Sequence, residues 1–138
     1  MRTPSETDVL TAADAIVSAF AETDTEAYFA GFSPDASFVF HTEPARLNAR
    51  SDYERLWRGW LAEGWRVVSC ESADRLVQTF PGGAVFSHTV RTAVATPSGG
   101  DDYRERETIV FRLDDDGRGL VAVHEHLSAF TDENGAAS

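Results

Sequence analysis

The chain has no lysine, a single cysteine and a single methionine among 138 residues. Without lysine there is no amine for Schiff-base chemistry and no lysine general base; all 12 basic residues are arginine. One cysteine, Cys70, excludes an internal disulfide and any multi-cysteine metal site. With no activating motif beside it, Cys70 reads as a buried, inert thiol. Positive charge is scarce as well. A net charge of −11 argues against nucleic acid and against an anionic membrane surface, both of which require clustered cations. No apolar run approaches the roughly 18 residues of a membrane-spanning helix, and the polar start Met1-Arg2-Thr3-Pro4 carries no secretory h-region, so a cytoplasmic protein is expected. Phosphate loops, dinucleotide fingerprints and a Ser-His-Asp order are absent, Gly82-Gly83 and Gly99-Gly100 read as hairpin turns, and no cofactor is expected.

What the chain does have is apolar bulk: 42% hydrophobic residues, including nine Phe, three Trp and three Tyr. At this length that is enough for one packed domain spanning 1–138, with 1–7 and 131–138 expected to be flexible. Helical spacing of Val9, Ala12, Ala13, Ile16, Val17 and Phe20 predicts a first helix over 8–22. Asp24 or Thr23 offers the N-cap of a short second helix through Tyr28 and Phe29 to Gly31. A strand is predicted at 36–40 and a weaker one at 45–48. Ser51 and Glu54 spell a capping box for a third helix, whose apolar stripe is Tyr53, Leu56, Trp57, Trp60 and Leu61, with Gly64 as its stop.

Beyond Gly64 the pattern is extended. A long strand to Phe80 is expected to bulge or bend near 71–74. The next, over 84–96, puts Phe86, His88, Val90, Thr92 and Val94 on one face, and a loop over 97–102 follows. The last two strands flank the turn Asp114-Asp115-Asp116-Gly117. Alternation aligns Glu107, Ile109, Phe111 and Leu113 on one, and Val121, Val123, Glu125 and Leu127 on the other. Helices first and long antiparallel strands after them make an α+β order, in which a strongly curved sheet wraps N-terminal helices and encloses an apolar cavity.

A carboxylate interrupts each of those two apolar rows. Glu107 and Glu125 are thus diagonal or near neighbours facing one way, and two carboxylates in one apolar cavity push one pKa up, giving a proton-transfer group useful near neutral pH. The bland alternative pairs them with an arginine such as Arg91, Arg104 or Arg106, or leaves them facing water. His88, pointing inward with Phe86 and Val90, is the candidate to support a developing oxyanion; a core histidine bonded to a carboxylate is the alternative. Trp57, Trp60, Tyr28, Phe40, His41, Phe86, Ile109 and Leu127 are the candidate substrate-contacting residues. His124 and His126 form a metal half-site without a recognisable third ligand, and their face is opposite the cavity, so no metal is assigned and packing at a homodimer interface on the outer sheet face is the expected use.

Three segments carry a resemblance to a known fold: Ala21-Glu22-Thr23-Asp24 followed by Tyr28-Phe29-Ala30-Gly31-Phe32-Ser33-Pro34-Asp35-Ala36-Ser37-Phe38; Arg106-Glu107-Thr108-Ile109-Val110-Phe111; and Val123-His124-Glu125-His126-Leu127-Ser128. Together they resemble the NTF2-like superfamily, in particular its SnoaL-like branch, with the cone fold of ketosteroid isomerases. The last segment is similar to the same strand in kinase association domains of that superfamily. The resemblance implies a pocket for a small apolar molecule. It also implies a range of activities, from isomerases, polyketide cyclases and dehydratases to non-catalytic association modules. Steroid isomerases of this fold carry a general-base aspartate where this chain has Phe40, with His41 next to it, and an oxyanion tyrosine where it has Ile16, so ketosteroid isomerisation is not expected. The pocket arginines of the association domains match Ile109 and Leu127. The expected function is cofactor-independent acid–base chemistry on a small, mostly apolar carbonyl or enol compound; the alternative is a ligand-binding or dimerisation module.

Overall fold

The computed structural model describes residues 1–130. Helix α1 (Glu6–Ala21) starts two residues earlier than the apolar stripe suggests, because Ser5 and Asp8 cap it reciprocally: the Ser5 hydroxyl accepts from the Asp8 amide at 3.0 Å and the Asp8 carboxylate from the Ser5 amide at 3.1 Å. Arg2 pairs with the same carboxylate at 3.0 Å and donates to the carbonyls of Gly117 and Arg118, so the segment expected to be flexible at 1–7 holds a cap and several tethers. The other such segment, 131–138, lies outside the described residues. Asp24 caps α2 (Thr25–Ala30) by accepting from the Ala27 amide at 3.2 Å. Thr23 takes a positive φ of 53° and its hydroxyl bridges the backbone of Val67, fastening the helical corner to the sheet.

Strand β1 (Phe32–Phe40) alternates its buried residues from Ala36 onward, and the weaker strand expected nearby is a single bridge between Phe38 and Leu47. Helix α3 (Arg50–Ala62) corrects the sequence reading: Ala49 occupies the N-cap with no side-chain cap, and Ser51 lies inside the first turn. Glu54 is engaged by Arg50 at 3.4 Å instead, while the Arg50 guanidinium donates to the Phe32 carbonyl at 2.8 Å. That anchor to β1 sets where the helix starts. The stop at Gly64 holds, with the glycine at φ 89°.

The remaining strands are β2 (Arg66–Phe80), β3 (Gly83–Thr96), β4 (Gly99–Leu113) and β5 (Leu120–Ala129). They form one sheet with β1, in the order β1-β5-β4-β3-β2, and β1 runs parallel to β5 while every other pair is antiparallel. The predicted bend in β2 is a register shift between Ala73 and Leu76, with Asp74 at φ 55°. The loop expected at 97–102 is shorter than predicted: Thr96 already pairs with Gly99, so β4 begins well before the pattern suggested. A second correction concerns β5. The register slips between Val110 and Phe111, which pair with His124 and Ala122, and Val123 is left as the extra residue. Beyond it the facing changes, so that Ala122 is fully buried and Val121 and Val123 are only half-buried.

The three helices fill the inner face of this curved sheet. One end is packed solid: Phe32, Phe38, Phe86, Ile109 and Phe111 meet there and are all buried to within 1%. Toward the other end Tyr28 stacks on Trp57 at 5.0 Å between ring centroids, and the tryptophans of α3 spread outward. Among the described residues no helix is long and apolar enough to cross a membrane.

Candidate active site

Where the packed aromatic end gives out, the sheet and helices leave a cavity of about 610 Å³. That is within the roughly 300–1,000 Å³ of small-molecule sites. Its walls are largely apolar and aromatic, with Ile16, Val17 and Phe20 from α1, Tyr28 from α2, Phe40 ending β1, Tyr53 and Trp60 from α3, and Trp65 just before β2. The sheet contributes Cys70, Val90, Thr92, Val94, Tyr103, Glu105, Glu107, Glu125 and Leu127.

Glu107 and Glu125 both line this cavity and are 8% and 1% exposed. Their placement follows from the ladder: Glu107 lies opposite Leu127 and Glu125 opposite Ile109, which makes them diagonal neighbours on one face. They hydrogen-bond each other. Burial, then the negative charge of Glu107, pushes the Glu125 carboxyl well above the usual carboxylate range. Burial acts on Glu107 as well, but hydrogen bonds from Glu125 and His88 outweigh it and hold Glu107 below its ordinary value. The shared proton therefore belongs to Glu125, and Glu107 carries the charge. One oxygen of Glu125, Oε1, is fully buried and has no hydrogen-bond partner among the described residues.

His88 is opposite Glu107 on β3 and contacts Glu107 Oε1 through Nε2 at 2.6 Å, while its Nδ1 meets the Ser72 hydroxyl at 2.6 Å. All polar atoms of this row are satisfied when Nε2 carries the proton and donates to Glu107, and Ser72 donates to Nδ1. His88 thus lies behind Glu107 and is not a cavity wall. The expected oxyanion support from His88 is corrected on that ground: both of its ring nitrogens are engaged by protein. Among the described residues no ion pair joins an arginine to either carboxylate. Arg91 bonds Asp102 at 3.1 Å, and the guanidinium groups of Arg104 and Arg106 lie over the Phe130 ring.

Of the residues expected to contact substrate, Tyr28, Phe40, His41, Trp60 and Leu127 line the cavity. Trp57, Phe86 and Ile109 do not; all three are fully buried, Phe86 and Ile109 in the packed end and Trp57 behind the aromatic wall. Trp57 is turned away by its indole N–H, which donates to Thr25 Oγ1 at 2.8 Å. Alternation assigned Phe86 and Ile109 the right face but not the right depth, since the two pair with each other on the packed side of His88 and Glu107.

Several wall residues went unread. Glu105 and Tyr103 share the facing of Glu107 and were missed because β4 was started at Arg106; the odd-number alternation extends to both. Glu105 is contacted by His41 Nε2 at 2.6 Å, where burial raises its carboxyl and His41 partly offsets that. Ser72 had no sequence signal, being one of several serines in a bent strand. The Tyr28 and Tyr53 hydroxyls bond each other at 2.9 Å, and burial raises both phenols. Cys70 on the wall is pushed up to about 11 by burial, which keeps it a thiol. His124 and His126 sit on the opposite face, where Ser37 bonds His124 at 2.8 Å, and no group of three metal-ligating side chains occurs among the described residues.

Sequence comparison matches residues 9–132 to the SnoaL-like domain, nearly the whole chain. The protein belongs to the SnoaL-like family. No curated protein matches this SnoaL-like chain. Solved structures with the same fold include an NTF2-like protein of unknown function in nutrient uptake from Rhodospirillum rubrum, 18% identical with a TM-score of 0.77, covering 89% of this chain and 98% of its own. An NTF2-like protein of unknown function from Pseudomonas putida is 18% identical with a TM-score of 0.73, covering 96% and 92%. The CaMKII hub of S. rosetta is 22% identical with a TM-score of 0.70, covering 91% and 98%. At these identities the likeness establishes the NTF2-like fold for this SnoaL-like protein.

Proposed function

We propose that the cavity carries out cofactor-independent acid–base chemistry on a small, mostly apolar carbonyl or enol compound, as an isomerase, cyclase or dehydratase does. The observation that carries this reading is the buried Glu107–Glu125 couple on the cavity wall, one member ionised and the other holding the proton. Such a pair provides a base and an acid side by side at the same pH. Glu107, its charge held by His88, is the base; Glu125 returns the proton; Trp60, Phe40 and Leu127 shape the space and exclude water. A cavity with solvated ion pairs on a dry apolar wall would favour a binding module instead, and neither carboxylate is of that kind.

The test is a thermal-shift screen of small apolar carbonyl and enol compounds, followed by turnover assays on each hit with the wild-type protein, Glu125→Gln and Glu107→Gln. Wild-type turnover lost in both folded variants supports the reading. Hits that bind unchanged, with no turnover in any form, would establish the second reading, a ligand-binding or association module, which the likeness to a kinase hub favours. The same proposal includes a homodimer formed through the outer sheet face, where His126 and Val68 are exposed, to be checked by light scattering in solution. It also includes residence in the cytoplasm, in keeping with one free cysteine and no disulfide.

A further inference from the structure

The charges around the cavity constrain its ligand more than the apolar lining does. Five acidic residues line it, Glu43, Asp101, Glu105, Glu107 and Glu125, against Arg104 and His41. With Glu125 holding its proton and His41 charged, four carboxylates still face two cations. Burial raises the pKa of Tyr28, Tyr53, Cys70 and Tyr103 on the wall, and the charge of Glu107 or Glu105 adds to the rise in each. The helices contribute the same sign. Phe20 and Trp60 lie in the last turns of α1 and α3 and line the cavity, so both C-termini end beside it. A helix C-terminus carries about half a negative charge, and neither last turn holds a basic residue.

The rings point the same way. Phe20, Trp65, Trp60 and Tyr53 all line the cavity and form an arc, with successive centroids 6.4, 5.2 and 6.2 Å apart. Aromatic faces are the negative side of a quadrupole and attract a cation within about 6 Å. Register sets the arc and the acids at one end of the sheet: Val94 pairs with Val67, two residues after Trp65, and with Asp101 on β4. That end is the open one, since Trp60 and Trp65 are half-buried and Asp101 is exposed, whereas Glu125 lies deep at 1% exposure. A low-dielectric cleft lined by one sign of charge concentrates its field. A neutral ring compound would use the arc but not the field, and an anion would be repelled by it.

We infer that the ligand is an organic cation, an ammonium or iminium on an apolar body, whose charge lies at the open end of the cavity against the rings of Trp60 and Trp65 and the carboxylates of Asp101 and Glu105. The apolar body then extends toward Phe40, Leu127 and the Glu107–Glu125 couple. This rests on the reading of the cavity as a ligand site and adds a positive charge to the apolar compound proposed there.

Titration calorimetry at one pH and ionic strength tests this with three probes on one skeleton: trimethyl(2-naphthylmethyl)ammonium, 2-(methoxymethyl)naphthalene and 2-naphthylacetate. The quaternary ammonium has no N–H, so its binding reports charge and ring faces, not hydrogen bonding. Wild-type protein is expected to bind it at least roughly tenfold more tightly than the ether, and the carboxylate most weakly. Asp101→Asn removes a charge at an exposed position, and Glu105→Gln removes one while its amide oxygen still accepts from His41. Each should lower ammonium affinity by roughly fivefold and leave that of the ether within about twofold. An ether bound as tightly as the ammonium, tightest binding of the carboxylate, a preference unchanged in both variants, or no binding by any probe would each overturn the inference. Cation preference in a wild-type protein that turns over no carbonyl or enol compound would sink the acid–base reading and leave this one standing; turnover without that preference would do the reverse.

Discussion

Glu125 is placed opposite Ile109 and diagonal to Glu107, so the two carboxylates meet on one face of neighbouring strands while an aliphatic side chain separates them from the packed end of the sheet. The Val123 bulge lies between this pair and the acidic turn. Without it, Val121 and Val123 would face inward and Ala122 would not be buried. The bulge therefore reconciles a core that begins at Ala122 with an acid row that ends at Leu127.

The first prediction concerns pH. Glu125 has a folded-state pKa raised well above 4.5, so its contribution to stability is complete below about 4.5 and is lost as pH rises toward the folded value. Each pH unit in that window weakens the fold by up to about 1.4 kcal/mol. Glu125→Gln removes this dependence. Its melting temperature should therefore gain on wild type as pH is raised from 5 to 8, and parallel curves for the two proteins would refute the assignment.

Ser72 offers a second test. Its hydroxyl fixes the His88 ring from the side away from the cavity, so Ser72→Ala should cost about 1 kcal/mol and loosen the Nε2–H tautomer. Nitrogen-15 shifts of His88 report that tautomer directly. If the catalytic reading holds, the alkaline and acid limbs of the pH–rate profile should move in Ser72→Ala, with KM changing less than kcat. A variant with wild-type imidazole shifts would mean that Ser72 does not orient the ring.

His88→Ala is the harsher version. It removes the partner of a buried carboxylate that is 8% exposed, and about 3 kcal/mol of stability should go with it. Glu107 then rises toward the range of Glu125, and the acid–base contrast between the two collapses. Denaturant unfolding measures the first effect. Turnover lost in a variant still folded at 25 °C measures the second.

How far these residues could be read from the sequence depended on which physical signal carried them. Alternation around Glu107 and Glu125 is local and survived intact, because β4 is regular there and the slip in β5, at Val123, is over before Glu125. The three helices and the bend at Asp74 were legible through apolar spacing and turn chemistry for the same reason. Depth within the cone was not. Ile109 and Glu107 have the same facing and differ in lying within the packed end or on the cavity wall, and no pattern along a single strand encodes that. The Ser72–His88 contact and the Tyr28–Tyr53 pair join residues distant in sequence, and the Arg50 anchor displaced a capping box that was correct as a local motif. Such contacts arise from packing, and a one-dimensional pattern cannot hold them.

The two tryptophans of α3 provide the last prediction, because sequence reading gave them one role and the structure gives them two. Trp57 is fully buried, stacks on Tyr28 at 5.0 Å and donates to Thr25 at 2.8 Å. Trp60, one helical turn on, is half-buried and faces the cavity. Trp57→Ala should therefore cost about 3–5 kcal/mol, enough to threaten a domain of this size. Trp60→Ala removes a wall that already borders open space, so it should cost about 1 kcal/mol and widen the cavity. Ligand affinity should respond the other way: a folded Trp60→Ala protein loses binding of ring compounds, while the conservative Trp57→Phe retains it. Equal stability losses for the two alanine variants, by chemical denaturation at one pH, would mean that the cavity wall is as tightly packed as the core and that the division of the cone drawn here is wrong.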